Sequence, residues 1–180
     1  MECEKENRPW NYEDSPWKTK AEFFTYLRGA LRRAIWEKWP LKFKFKDGVV
    51  GPPPEDYKGK AKSGAYCALS GEWVPKSYAE VDHIVGNVSL QEWEDVLPFI
   101  QHLCCPKENL QYVSKEGHKV KSYADKQGIT FEEAQAEKTA IALIRSKKDK
   151  EFLESMGEIP GSNQSKRRKQ IVEHLLKESK

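Results

Sequence analysis

Four side chains suited to hydrolytic chemistry lie at three separate places in the chain: the Asp82-His83 pair, Asn109 and His118. The pair closes a segment with the pattern of a strand, Asn109 follows a loop, and His118 lies in the first turns of a predicted helix. A hairpin followed by a loop and a helix can bring three such segments to one place. The site would then offer a carboxylate and an imidazole to a metal ion, and a second imidazole as a base.

This combination of groups is what hydrolysis of a phosphodiester requires. A divalent ion must stabilise negative charge on the phosphate and on the leaving oxygen, while a base removes a proton from water. Histidine suits the second task because its unperturbed pKa is ~6.5. Taken alone, His83 is better interpreted as a core histidine, and only the joint pattern with Asp82, Asn109 and His118 favours a catalytic site.

The same three segments resemble the motif of the HNH endonuclease family. They read Glu-Val-Asp-His-Ile at 80–84, Asn-Leu-Gln at 109–111 and His-Lys-Val-Lys-Ser at 118–122, and the resemblance covers roughly residues 64–127. It implies a ββα-metal fold, in which a hairpin and one helix hold a single divalent ion. It also implies cleavage that leaves 5′-phosphate and 3′-hydroxyl ends, and a phage or mobile-element source.

The resemblance assigns a role to each matching residue. Asp82 and His118 are expected to be the metal ligands, and His83 the general base. Asn109 is expected to fix the loop and to orient His83. Mg²⁺ is the expected ion, with Mn²⁺, Ni²⁺ or Zn²⁺ as alternatives because one ligand is an imidazole.

The cysteines depart from the family pattern. Many HNH proteins bind a structural zinc through two Cys-x-x-Cys pairs, whereas this chain has Cys67 with Ser70 and the adjacent Cys104-Cys105. Because tetrahedral zinc needs two separated thiol pairs, no structural zinc is expected, and the cysteines are predicted to be small buried residues. In its place, a long connection with a helix between His83 and Asn109 is expected to join the hairpin to the final helix.

The elements that must position these residues form a predicted α+β fold, with a ββα-metal core and added helices on both sides. The predicted regions are a basic helical region at 1–62, the nuclease core at 63–128, and a helical region with a basic tail at 129–180. Strands are predicted at 41–46 (with a turn at 47–48 and a return at 49–50), 66–69, 78–84 and 109–113. Helices are predicted from Thr19 to Pro40, Ser89 to about His102, Ser114 to Gly128, Thr130 to about Lys148, and Ser165 to Lys177.

Charge is segregated along the chain although its net value is only +3. Residues 17–62 carry +7 and residues 161–180 carry +4, whereas residues 63–113 carry −5. Basic flanks of this kind favour contacts with a polyanion. The candidate DNA contacts are Arg28, Arg32, Arg33, Lys119, Lys121, Lys166, Arg167, Arg168 and Lys169, with the 42–46 lysines beside them.

The same sequence also indicates the expected compartment and leaves alternative functions open. Its apolar runs fall far short of the ~20 residues of a membrane helix, and its acidic first residues lack a signal-peptide pattern, so no membrane is expected and the cytoplasm is the expected compartment. Two alternatives to a DNA endonuclease remain open. One is a non-catalytic DNA-binding protein on the same fold, and the other is a nuclease directed at RNA.

Overall fold

The fold consists of helices and short strands. The computed structural model describes residues 8–86 and 88–178. The fourth cysteine of the chain, Cys3, lies outside the described residues. No helix within those two ranges has both the length and the apolar composition needed to cross a membrane. The elements are α1 (Lys20–Ala34), α2 (Pro40–Val49), β1 (Gly64–Tyr66), β2 (Trp73–Pro75), β3 (Ala79–His83), α3 (Val96–Leu103), β4 (Leu110–Ser114), α4 (Lys115–Gln127), α5 (Phe131–Arg145), α6 (Asp149–Ser155) and α7 (Gln164–Glu178).

The chain divides into two compact units between Val113 and Ser114. The first unit contains α1 to α3 and the four strands up to Val113, and the second contains the four helices α4 to α7. Asp82, His83 and Asn109 therefore belong to the first unit, and His118 belongs to the second.

In the first unit, the helix predicted from Thr19 to Pro40 is present as α1, but it ends earlier, at Ala34. Thr19 caps α1, since its hydroxyl accepts a hydrogen bond of 3.2 Å from the backbone N–H of Glu22. The α1 helix buries Phe23 and Phe24 in a cluster with Phe99 and Leu103 of α3. This packing fixes α3, whose last turn reaches the Asp82-His83 region.

The strand and turn predicted for residues 41–50 are wrong, because these residues form α2. Pro40 does not end a helix but begins one, as its fixed φ and missing N–H suit the first helical position. The alternation of lysines with apolar residues also places Leu41 and Phe45 four apart on one helix face. Phe45 packs against Ala65 and Val81, while Phe43 is left exposed.

The predicted hairpin has different partners in the structure. The strand expected at 66–69 lies at Gly64–Tyr66 and pairs antiparallel with β2, a strand that the sequence analysis missed. The strand expected at 78–84 is β3, and it pairs with β4 instead. With only three residues, Trp73–Pro75 is too short to show a strand pattern.

The long connection between His83 and Asn109 contains a helix, as expected, but the helix begins later. The helix is expected to start at Ser89, whereas the observed capping box joins Glu92 to Asp95 and α3 starts at Val96. Asp95 accepts hydrogen bonds from the backbone N–H groups of Gln91 and Glu92. Asp95, rather than Ser89, therefore forms the capping box with Glu92.

The second unit is a group of helices around Ala140, Leu153 and Ile171. The caps predicted for α4 and α5 are confirmed: the Ser114 hydroxyl accepts from Gly117 N–H at 2.9 Å, and Thr130 accepts from Glu133 N–H at 3.1 Å. The tail helix is confirmed as α7. The helix expected to reach Lys148 ends at Arg145, and α6 follows it as a separate element.

Candidate functional site

Asp82 and His83 are the last two residues of β3, and both are buried. Beyond them, the N–H of Ile84 donates to the backbone oxygen of Asn109 at 2.9 Å. The side-chain amide of Gln111 lies 3.2 Å both from Asp82 Oδ2 and from the backbone oxygen of His83. The end of β3 is thus fixed by residues at the start of β4.

Asn109 holds the backbone just after His83. Its Oδ1 accepts a hydrogen bond of 2.8 Å from the N–H of Val85, and its Nδ2 donates to the Val85 oxygen at 3.3 Å. An asparagine amide can satisfy both backbone groups of one residue because it carries an acceptor and donors side by side. Asn109 thus holds the backbone of the segment that follows His83.

The imidazole of His83 lies between two other rings. The Trp36 ring stacks against it with centroids 4.1 Å apart and planes inclined by 29°. The His102 ring stacks against it with the same centroid separation and an inclination of 28°. His83 is only 4% exposed, so these neighbours restrict both its rotation and its hydration.

One ring nitrogen of His83 has a defined partner. Its Nε2 lies 3.1 Å from the backbone oxygen of His102. A carbonyl oxygen can only accept, so Nε2 must carry the proton, and in the neutral ring Nδ1 then carries the lone pair. The geometry therefore selects the tautomer in which Nδ1 can accept a proton.

The electrostatic surroundings keep this ring neutral. Burial lowers the pKa of His83 to about 4, and the nearby His102 adds to this effect, while Asp82 opposes it. At neutral pH the imidazole is thus in its proton-accepting form.

Two cations from neighbouring elements also lie close to this stack. The Lys42 ammonium of α2 lies 4.4 Å from the centre of the Trp36 ring, a cation–π geometry. Burial lowers the pKa of Lys42, with Glu37 and Glu80 acting in the opposite direction. Arg32 of α1 is close enough to act electrostatically on both His83 and Lys42.

His118 lies near the start of α4, in the second unit, and is half-buried. Ser114 caps this helix, which ends at Gly128 with a left-handed φ of 67°. On the same helix, Lys121 lies 3.4 Å from Asp125, and Lys119 is exposed.

The possible metal donors are few. Among the residues that the structure describes, no three Cys, His, Asp or Glu side chains are grouped so that they could hold an ion. Cys67, Cys104 and Cys105 form no disulfide, and Cys67 and Cys105 are buried. The expected metal donors are the Asp82 carboxylate and the imidazole of His118, which belongs to the second unit. A carboxylate and an imidazole suit a divalent ion whose other ligands are water or phosphate oxygens.

The candidate DNA contacts differ in their availability. Arg32 and Arg33 are exposed on α1, whereas the Arg28 guanidinium lies over the Phe99 ring at 5.5 Å. In α7 the basic run is divided. Lys166 and Lys169 are exposed, while Arg167 is buried in an ion pair with Asp149 and Arg168 pairs with Glu137.

Three residues of the site escaped the sequence analysis. The sequence assigns no role in the site to His102, Trp36 or Gln111. The Gln111 contact could have been inferred, since Gln111 lies two residues after Asn109 in a strand segment and so on the same face. Nothing local in the sequence indicates that Trp36 or His102 meets His83.

The chain matches no protein-family model, no curated protein and no solved structure among those with which it was compared. Its function therefore has to be argued from the residues and their geometry.

Proposed function

We propose that this protein is a metal-dependent HNH endonuclease that hydrolyses phosphodiester bonds of DNA. The observation that carries the proposal is the hydrogen bond of His83 Nε2 to the His102 oxygen. It leaves Nδ1 as a fixed proton acceptor on a ring that is neutral at physiological pH. A general base must be unprotonated at the working pH, and the pKa of about 4 makes His83 a weaker base than an ordinary histidine. The residue beside it in the chain is the carboxylate Asp82.

The order of the elements supports the same conclusion. The β3 strand ends with Asp82 and His83, β4 pairs with it and begins just after Asn109, and α4 with His118 follows directly in the chain. This is the strand–strand–helix order of a ββα-metal core. Asn109 binds Val85 and so holds the backbone that follows His83, which supports the loop-fixing role that the resemblance implies.

In the proposed reaction, Nδ1 of His83 takes a proton from a water molecule, and the water oxygen attacks phosphorus. The bond between phosphorus and the 3′ oxygen breaks, which leaves a 5′-phosphate and a 3′-hydroxyl once the leaving oxygen is protonated. By the resemblance, Asp82 would be one ligand of the divalent ion, and the second expected ligand, His118, belongs to the second unit. When bound, the ion supplies positive charge for the phosphate and the leaving oxygen.

The burial of His83 favours one second candidate, a DNA-binding protein without catalysis. A ring that is 4% exposed and bonded to a backbone oxygen could also serve packing alone. In that case the site would contribute to the fold, and the basic residues would bind DNA without cleavage.

Incubation of supercoiled plasmid with the protein and Mg²⁺ separates the two functions. We expect relaxed or linear product, its loss in EDTA, and a fall of 10²–10⁴-fold in rate for His83→Ala. The matched control is His174→Ala, which removes a histidine of the second unit and is expected to cleave normally. Binding of plasmid without cleavage in Mg²⁺, Mn²⁺, Ni²⁺ or Zn²⁺ would establish the non-catalytic candidate instead.

A further inference from the structure

An open groove of about 480 Å³ in the first unit is bordered by three lysines. They are Lys46, Lys62 and Lys76, with Ser63 and Ser77 among the other lining residues. The lining contains no carboxylate, although residues 63–113 as a whole are acidic. None of the three lysines forms an ion pair with a carboxylate of the described residues.

Backbone hydrogen bonds bring the three lysines together. Lys46 lies in the last turn of α2, and shortly after it Gly51 exchanges two hydrogen bonds with Gly64 of β1, at 2.8 and 3.0 Å. The N–H of Lys76 donates to the oxygen of Ser63, the neighbour of Lys62, at 3.0 Å. The groove is thus built on fixed backbone rather than on a free loop.

The positive charge of the groove continues towards the candidate base. Lys42 lies one helical turn before Lys46, and the two ammonium groups act on each other electrostatically. Lys42 in turn lies over the Trp36 ring, which stacks on His83. Glu37 and Glu80 act on Lys42 more strongly than Lys46 does, so the positive charge without a nearby carboxylate is that of the three groove lysines. Because like charges held close together repel, these lysines are stabilised when they face an anion.

We propose that this lysine groove, continued by Lys42 and Arg32, binds the phosphate backbone of duplex DNA and leads it to His83. The inference rests on the proposed function, since it names the path by which the substrate reaches that site. Lysine and serine contact phosphate without reading bases. No aromatic ring lines the groove, so it lacks the stacking surfaces typical of single-strand binding.

The test measures binding of a short DNA duplex to the full chain by fluorescence anisotropy, in EDTA, over a range of salt concentrations. The variant carries Lys46→Gln, Lys62→Gln and Lys76→Gln. The control carries Lys147→Gln, Lys148→Gln and Lys150→Gln, which remove the same charge from exposed positions of the second unit. A third variant replaces the three groove lysines with arginine, and far-ultraviolet circular dichroism checks the fold of each.

The slope of log affinity against log salt should become shallower by about 2.7 in the groove variant, since each lost phosphate contact contributes about 0.9. The control variant should keep a slope close to that of the wild type. The variant with arginine at the three groove positions should restore the wild-type slope. Equal slopes for the groove variant and the control would overturn the inference. Tighter, lysine-dependent binding of an RNA duplex of the same sequence would also overturn it.

Plasmid cleavage by the wild type is measured in parallel. Cleavage together with equal slopes refutes the groove and leaves the endonuclease standing. Lysine-dependent binding without cleavage in any of the four metals supports the groove and refutes the endonuclease. A wild type that neither binds nor cleaves refutes both.

Discussion

The indole of Trp36 covers one face of the His83 imidazole, with the ring centroids 4.1 Å apart. Trp36 follows α1, whereas His83 ends β3, so the contact joins a helical segment to the sheet. An imidazole held between two rings and one backbone oxygen has little freedom to rotate. The orientation of the proposed base is therefore set before any substrate is bound.

Trp36→Ala should lower kcat by about 10²-fold with a smaller change in KM, because a freed ring loses its aligned position. Trp36→Phe should recover most of the rate, since it keeps an aromatic face. Single-turnover cleavage of a DNA duplex, measured with thermal melting, checks this. Equal rates for the alanine and phenylalanine variants would show that the stack does not position His83.

The two hydrogen bonds of Asn109 to Val85 can be tested separately by substitution. In Asn109→Asp the carboxylate can still accept from the Val85 N–H but cannot donate to the Val85 oxygen. We expect Asn109→Ala to cost more than Asn109→Asp in unfolding free energy, with the full loss at about 0.5–1.5 kcal/mol per hydrogen bond. Denaturant unfolding of the three proteins gives the order, and the reverse order would contradict the observed pairing.

Gly64 tests the sheet that supports the lysine groove. A Cβ at this position would lie 2.3 Å from the backbone oxygen of Val74 and 2.6 Å from the Trp73 ring, so Gly64→Ala should destabilise the protein by about 1–3 kcal/mol. The control is Gly48→Ala in α2, where a Cβ meets nothing within 4 Å. That change should stabilise the helix by about 0.5–1 kcal/mol. Opposite shifts in Tm are the expected result.

The ion pair of Arg167 with Asp149 predicts how the second unit responds to acid. The hydrogen bond from Arg167 lowers the pKa of the Asp149 carboxyl below its ordinary value. The resulting stability is fully present above the unfolded pKa of about 3.9, and it is lost as the pH falls through the lower folded pKa. Unfolding by urea between pH 2 and pH 6 should show this loss, and Asp149→Asn should reduce it.

Because Arg167 forms an ion pair with Asp149, the basic residues at 166–169 of α7 differ in their availability to DNA. Lys166→Gln with Lys169→Gln should weaken DNA binding at unchanged stability, since both side chains are exposed. Arg167→Gln should instead lower stability by about 3–5 kcal/mol, because it leaves the Asp149 carboxylate buried without its partner. Anisotropy titration and denaturant unfolding separate the two effects. A strong loss of DNA affinity with normal stability in Arg167→Gln would contradict this division.

Local signals explain why parts of the fold could be predicted. Thr19, Ser114 and Thr130 each cap the helix expected of them, because a hydroxyl and an N–H three residues later suffice. The strand prediction for the lysine-rich segment of α2 was wrong, because its alternation of lysines and apolar residues is also compatible with a helix that has Leu41 and Phe45 on one face. Pro40 was the signal that could have decided it.

The candidate site was only partly visible for a different reason. Asp82, His83 and Asn109 belong to the segments that resemble a known motif, and Gln111 follows Asn109 by two residues, in β4. Trp36 and His102 reach His83 through the packing of α1 against α3, in which Phe24 meets Phe99. Such contacts depend on the whole fold of the unit and leave no local pattern.

The hydrogen-bond partner of His83 Nε2 is a main-chain oxygen, so the tautomer of His83 does not depend on the side chain at position 102. The oxygen comes from the last turn of α3, where helical carbonyls lack a partner within the helix, so any residue that continues the helix supplies it. Homologous chains could therefore keep the same tautomer with another residue at position 102, although they would lose the stacking of the His102 ring on His83. A search for relatives by side-chain identity would overlook this part of the site, whereas a search for an imidazole beside a helix-end carbonyl would find it.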